Sequence, residues 1–180
     1  TLAAIPGILK NGAKSFSSIG NVKSAGTKLV CLDSLFKNPG VYEMDMGTPM
    51  KKIIYDIGGG FIKPVKALQV GGPLGGVIPI KEVEKLNLDF QEFAKAGFML
   101  GHGSIVSIPE DFNMIKYIHH LFKFSAEESC GKCFPGRLGS YRGKEMFDQA
   151  INKTNKIPIK LLNELLVTMQ KGSLCALCGA

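Results

Sequence analysis

The chain has 180 residues, 45% apolar and 21% charged, enough for one ordinary domain or two small ones and too apolar for a disordered segment. Its 22 Lys and Arg outnumber its 15 Asp and Glu for a net charge of +7, but the cations are scattered singly or in pairs such as Lys51 and Lys52. Without a basic helix or an aromatic-laced basic strip, this charge argues against nucleic acid and for a solvated surface facing an acidic partner.

From the start, Leu2, Ile5, Ile8 and Leu9 suggest a short helix stopped at Gly12, a residue type able to take the left-handed C′ conformation. KSFSSIGNVKSAG is small, polar and glycine-bearing, so residues 1–25 read as a helix plus a connecting arm. From Thr27 the period changes to that of strands: TKLVCLD, the turn NPG, then VYEMDM, together a hairpin. Cys31 lies in the first of these strands and is expected to be a buried apolar filler. Thr48 as N-cap and Pro49 at the first helical position would open a helix carrying Met50, Ile53, Ile54 and Ile57 on one face, closed by Gly58, Gly59 and Gly60.

KALQV and VIPI read as third and fourth strands flanking GGPLGG. Such a glycine loop can cradle phosphate, but it lies between strands with no helix start and no Lys-Ser or Lys-Thr after it, so a wide hairpin turn is the better reading. FMLGHGSIVSI supplies a fifth strand. Strand, strand, helix and further strands over 26–108 give an α+β class, a roll with one helix over a mixed sheet as in the β-grasp.

Pro109 opens a helical regime over 109–180. Phe112, Ile115, Ile118, His119 and Phe122 recur at helical spacing up to Phe124, and Ser125 with Glu128 has capping-box spacing for a new helical start. Two more helices follow, from Glu145 to Ile151 and from Ile157 to Met169, the second with Ile159, Leu162, Leu165, Leu166 and Met169 on one face. His119 on an apolar helix face, His120 beside it and His102 in a glycine turn have no ligand partner at i+4 and earn no catalytic role. No carboxylate pair, nucleophile elbow or Cys/His set is present either.

The chemistry therefore rests on thiols. Cys130 and Cys133 stand three positions apart in ESCGKCFPGR, and Cys175 and Cys178 repeat that spacing in GSLCALCGA. Side chains three positions apart in a tight loop or helix start can turn to one side, and bound metal would hold the sulfurs as thiolates. Five cysteines in this pattern suit reduced thiols of a cytosolic compartment better than a secreted disulfide framework. No apolar run is long enough to cross a bilayer, and no signal peptide is expected.

From TLAAIP through GTKLV, NPGVYE, KALQVGGPLGG and ESCGKCFPGR to GSLCAL, the chain resembles the C-terminal part of the family of flavin-bearing, NADH-oxidising subunits found in respiratory complex I, NAD-linked hydrogenases and formate dehydrogenases. The resemblance implies a ubiquitin-like β-grasp domain of the soluble-ligand-binding (SLBB) type, followed by a small all-α bundle holding a [4Fe-4S] cluster. The family's FMN and NADH domain would precede Thr1. The chain is accordingly expected to be a fragment or subunit of an NADH-linked oxidoreductase, inactive alone, cytoplasmic or peripheral to a membrane complex. It would relay single electrons from flavin to a partner carrying a [2Fe-2S] or other iron-sulfur centre.

The family pattern is Cys-x-x-Cys-x-x-Cys with a distant fourth Cys, which maps to Cys130, Cys133, position 136 and Cys175. Position 136 is Gly136, so the inherited set is incomplete, and Cys178 stands where it could supply the missing sulfur. The swap also produces two Cys-x-x-Cys pairs, the arrangement of a structural zinc site, so a cluster, zinc or an empty site on a β-grasp scaffold all remain open. If a cluster forms, Lys132, Arg137 and the backbone around Gly131 are expected to favour its reduced form.

Overall fold

A computed structural model describes residues 2–73 and 75–179, and the chain divides into two units, Thr1–Glu110 and Asp111–Ala180. The first unit starts with two short helices, α1 (Ile5–Asn11) and α2 (Ala13–Ser17), so the expected arm is partly helical. Gly12 separates them at φ 85°, ψ 156°, positive in φ but not the left-handed helical cap expected. A two-stranded ribbon of β1 (Gly20–Asn21) and β2 (Ser24–Ala25) follows.

The main sheet has five strands: β3 (Thr27–Leu32), β4 (Gly40–Asp45), β5 (Val65–Val70), β6 (Gly76–Pro79) and β7 (Ser104–Pro109). Their order is β4-β3-β7-β5-β6. The β3/β4 and β5/β6 hairpins are antiparallel, and β7 lies between them, antiparallel to β5 and parallel to β3. This is the α+β sheet expected from the sequence, and GGPLGG forms the β5/β6 connection; Leu74 within it is outside the described residues. Asp33 fastens the sheet beyond β3, accepting from the Ser107 N–H at 2.6 Å and the Ser107 hydroxyl at 3.0 Å.

Alternation places Val30 and Leu32 of β3, Leu68 and Val70 of β5 and Ile105 of β7 in the core, against Met50, Ile53 and Ile54. Those last three ride on α3 (Met50–Lys52) and the wider π-helical turn Ile53–Ile57 that continues it. Thr48 is not the cap: its hydroxyl donates to Asp45 O at 2.7 Å, and Pro49 occupies the N-cap position. Cys31 is likewise exposed rather than buried, because Val30 and Leu32 take the inward phase of the strand. Ile80, expected to end the fourth strand, starts α4 (Ile80–Val83). In α5 (Phe90–Lys95) the buried Asp89 caps the amides of Gln91 and Glu92 and accepts from the Asn21 side-chain amide.

The second unit is built from α6 (Met114–Glu128), α7 (Ser140–Ile151), α8 (Ile159–Gly172) and the short α9 (Ala176–Gly179). α6 starts at the Asn113 cap and runs through Ser125 without a break, with Ala126 buried inside it. The Ser125/Glu128 signature is therefore interior, not a new start. Phe122 stacks on Phe147 at 5.6 Å between ring centroids, and Met146, Met169 and Cys178 complete this core. Leu162 and Leu165 pack against it, but Ile159 is 61% exposed and Leu166 is exposed as well, so the buried stripe of α8 is narrower than its apolar pattern.

Candidate metal centre

Two loops meet here, one after α6 and one after α8. Ser129 leaves α6 in an extended conformation, and Gly131 at φ 71° curls the chain back, its N–H donating to Ser129 Oγ at 3.2 Å. A side chain would be strained at that φ. Pro135 opens a π-helical turn, Pro135–Gly139, that runs directly into α7. Arg137 locks the curl: its N–H donates to Cys133 O at 2.9 Å and its guanidinium to Gly131 O at 3.3 Å, while lying 4.9 Å from the Phe134 ring centroid.

Residues 136, 139, 140 and 143 are Gly, Gly, Ser and Gly, a small-residue strip at helical spacing. Each glycine admits a specific neighbour. A Cβ on Gly143 would stand 2.2 Å from the Phe122 ring, and one on Gly139 would stand 2.8 Å from Met169 Cγ. α6 can therefore approach α7 closely and α8 can approach the Pro135–Gly139 turn, and α8 carries its C-terminal loop to the first cysteine loop.

Gly136 is buried, and its missing side chain defines the centre. A Cβ there would lie 3.2 Å from Cys133 Sγ, 3.2 Å from Cys178 Sγ and 3.4 Å from Ser129 Oγ. The two sulfurs are thus separated by no more than twice that distance, one from each Cys-x-x-Cys pair. The Cys133 thiol is held below its ordinary pKa by the backbone N–H of Leu174 and then of Gly136, with a smaller contribution from the Ser173 hydroxyl, all against an opposing burial effect. Leu174 directly precedes Cys175, so the last loop already touches the first pair. Cys178 is buried, and the fully buried Ser140 hydroxyl lies 3.7 Å from its sulfur and 2.8 Å from Gly136 O.

Cys130 and Cys175 lie on the same two loops with exposed thiols. Among the described residues, no three Cys, His, Asp or Glu side chains gather closely enough to grip one ion. A zinc ion would need four sulfurs at about 2.3 Å from one point. An iron-sulfur cluster makes a different demand, since each of its ligands binds a different iron. The soft thiolate chemistry, amide donors on Cys133 and a hydroxyl beside Cys178 fit such a group.

Lys132 and Arg137 are both exposed, and Arg137 is committed to the loop backbone. The histidines stand apart from these thiols in role: His119 Nε2 pairs with Asp148 at 2.7 Å, His120 is exposed, and the ring of exposed His102 fills the space beside Gly72. Reading the sequence by motif missed Ser140, Ser173 and the strip that seats α7, although small residues at 136, 139, 140 and 143 were a legible signal.

Residues 116–180 match the family described as the NADH-ubiquinone oxidoreductase-F iron-sulfur binding region. The chain is 36% identical over 180 residues to the NADP-reducing hydrogenase subunit HndC of Solidesulfovibrio fructosivorans, covering 98% of this chain and 36% of that protein. It is 31% identical over 184 residues to the mitochondrial NADH dehydrogenase (ubiquinone) flavoprotein 1 of Dictyostelium discoideum, covering 100% of this chain and 38% of that protein. In structure it matches a chain of NAD+-reducing [NiFe]-hydrogenase in the H2-reduced state with a TM-score of 0.87 at 25% identity, covering 99% of this chain and 30% of that one. The chain thus spans roughly a third of the length of these relatives, and it is homologous to part of the NADH dehydrogenase and hydrogenase subunits of this family, with residues 116–180 as the iron-sulfur binding region.

Proposed function

We propose that this chain is the iron-sulfur relay portion of an NADH dehydrogenase or diaphorase-type subunit, with Cys130, Cys133, Cys175 and Cys178 as the four ligands of a [4Fe-4S] cluster. The observation that carries this reading is the pair of sulfurs, Cys133 and Cys178, each 3.2 Å from the Cβ point of Gly136. The position that lacks a ligand is bordered by the thiol that replaces it. Bound there, the cluster would supply one-electron oxidation and reduction between a flavin held outside these residues and a partner centre.

The chain's own groups prepare the site. Amide hydrogens from Leu174 and Gly136 favour the thiolate of Cys133, and Gly131 lets the loop close without a side chain in the way. Burial of Cys178 keeps water from its sulfur. Around the centre, Phe134 is 69% exposed and Leu174 73%, with Leu138 also exposed and the cations of Lys132 and Arg137 among them. An apolar patch rimmed by positive charge suits docking of an acidic iron-sulfur subunit. No helix among the described residues is long and apolar enough to cross a membrane, so attachment to a complex would run through such surfaces.

Anaerobic purification of the full chain with metal analysis and a visible spectrum tests the reading. Iron and sulfide in near-equal amounts, with a broad brown absorption, are expected. Stoichiometric zinc in a colourless protein would instead make the chain a β-grasp scaffold with a structural ion.

A further inference from the structure

Ser140 is fully buried at the first position of α7, one turn after Gly136. Its hydroxyl carries one proton and has two acceptors, Gly136 O at 2.8 Å and Cys178 Sγ at 3.7 Å. The nearer carbonyl is the better acceptor while the sulfur is a neutral thiol, since thiols accept weakly. A thiolate ligand changes that order, because an ionised acceptor roughly doubles the strength of a hydrogen bond. Ser140 is held by helix packing and has no route to solvent, so its proton has only these two destinations.

We infer that Ser140 is a positioning residue that donates its hydroxyl proton to the Cys178 sulfur once that sulfur is a ligand, and so raises the reduction potential of the centre. A hydrogen bond to a ligating sulfur withdraws negative charge, and the reduced centre, carrying one more electron, gains more from this than the oxidised one. The same donor fixes the direction of a ligand placed on a four-residue terminal helix, α9, whose own geometry constrains it little. Cys133 is served differently, by backbone amides. The two halves of the centre therefore differ in emphasis: chiefly backbone amides, with Ser173 as a minor hydroxyl, on the Cys133 side, and the single hydroxyl of Ser140 on the Cys178 side.

This inference rests on Cys178 being a ligand, and the experiment separates the two ideas. The full chain carrying its cluster is compared with Ser140→Ala and with Cys178→Ala by iron content, by an EPR-monitored redox titration, and by deuterium hyperfine spectroscopy after exchange into heavy water. Expected are near-normal iron in Ser140→Ala, a midpoint shifted to more negative potential, and loss of one exchangeable-deuteron coupling present in the parent chain. An unshifted midpoint with every coupling retained, alongside iron loss in Cys178→Ala, would overturn the role of Ser140 and leave the ligand assignment standing. Full iron and an unchanged spectrum in Cys178→Ala would overturn both. Should Ser140→Ala lose iron through poor folding, Ser140→Thr, which keeps the hydroxyl donor and adds no thiol, is expected to retain the parent's midpoint and deuteron coupling; a negative shift with that coupling lost in iron-loaded Ser140→Thr, or no such coupling in the parent chain, would count against the proposal.

Discussion

Cys178 Sγ sits 3.2 Å from the point where Gly136 would carry its Cβ, so the thiol at the end of the chain occupies the neighbourhood of a side chain that is absent forty-two positions earlier. A side chain returned to position 136 has to contend with two sulfurs at once. Contact at that distance is tighter than ordinary packing, and neither sulfur has a long flexible stem to move. Gly136→Ala is therefore expected to destabilise the Asp111–Ala180 unit by about 1–3 kcal/mol, the usual cost of overpacking. Urea unfolding followed by helical circular dichroism measures it; unchanged stability would mean the sulfurs lie farther off.

Gly143 makes a stricter demand. Its Cβ would overlap the Phe122 ring at 2.2 Å, and that ring is backed by Phe147. Gly143→Ala should separate α6 from α7 and cost about 1–3 kcal/mol or more, since an interior aromatic cannot leave its rotamer without disturbing its stacking partner. A lower thermal midpoint with reduced near-ultraviolet aromatic signal is the expected result.

In the first unit, Asp89 is poised between opposing effects: burial pushes its pKa up, but hydrogen bonds from Asn21 and from the Glu92 and Gln91 amides outweigh it and hold the carboxyl below its ordinary value. A depressed folded pKa contributes stability above the unfolded value of about 3.9, and that contribution is lost as pH falls through the folded value. Asp89→Asn keeps a capping oxygen without the titration, so its stability is expected to fall less steeply below about pH 4 than the parent's. Asp89→Ala removes the cap itself and should cost about 1–2 kcal/mol at neutral pH. Parallel pH profiles for the parent and Asp89→Asn would contradict this.

Much of the architecture could be read from the residues because its signals are local. Strand-forming runs at 27–33 and 66–70, alternation at 41–46, turn chemistry at NPG and the glycine loop gave the two hairpins, and helical spacing gave the last three long helices. What lay beyond reach depends on distant partners. Nothing near Ser104–Pro109 announces that it inserts between the hairpins and runs parallel to β3. Phase also misled: one residue's shift along a strand exchanges inside for outside, which is why Cys31 faces out while Val30 and Leu32 face in. Ser125-x-x-Glu128 has the letters of a capping box, yet Asn113 had already begun the helix twelve residues before. The cysteine pairs were legible by spacing, and the resemblance identified Gly136 as the gap. That Ser140 stands beside the Cys178 sulfur could only come from the folded chain.

If the sulfur of Cys178 takes the part of a thiol at position 136, exchanging the two positions should move the ligand without losing the iron. Iron is measured per chain, under strictly anaerobic conditions, in Cys178→Ala and in the double variant Gly136→Cys with Cys178→Ala, with the exposed Cys31→Ala as a reference. Full iron is expected in Cys31→Ala, loss of most iron in Cys178→Ala, and recovery in the double variant. Full iron and an unaltered spectrum in Cys178→Ala would contradict it.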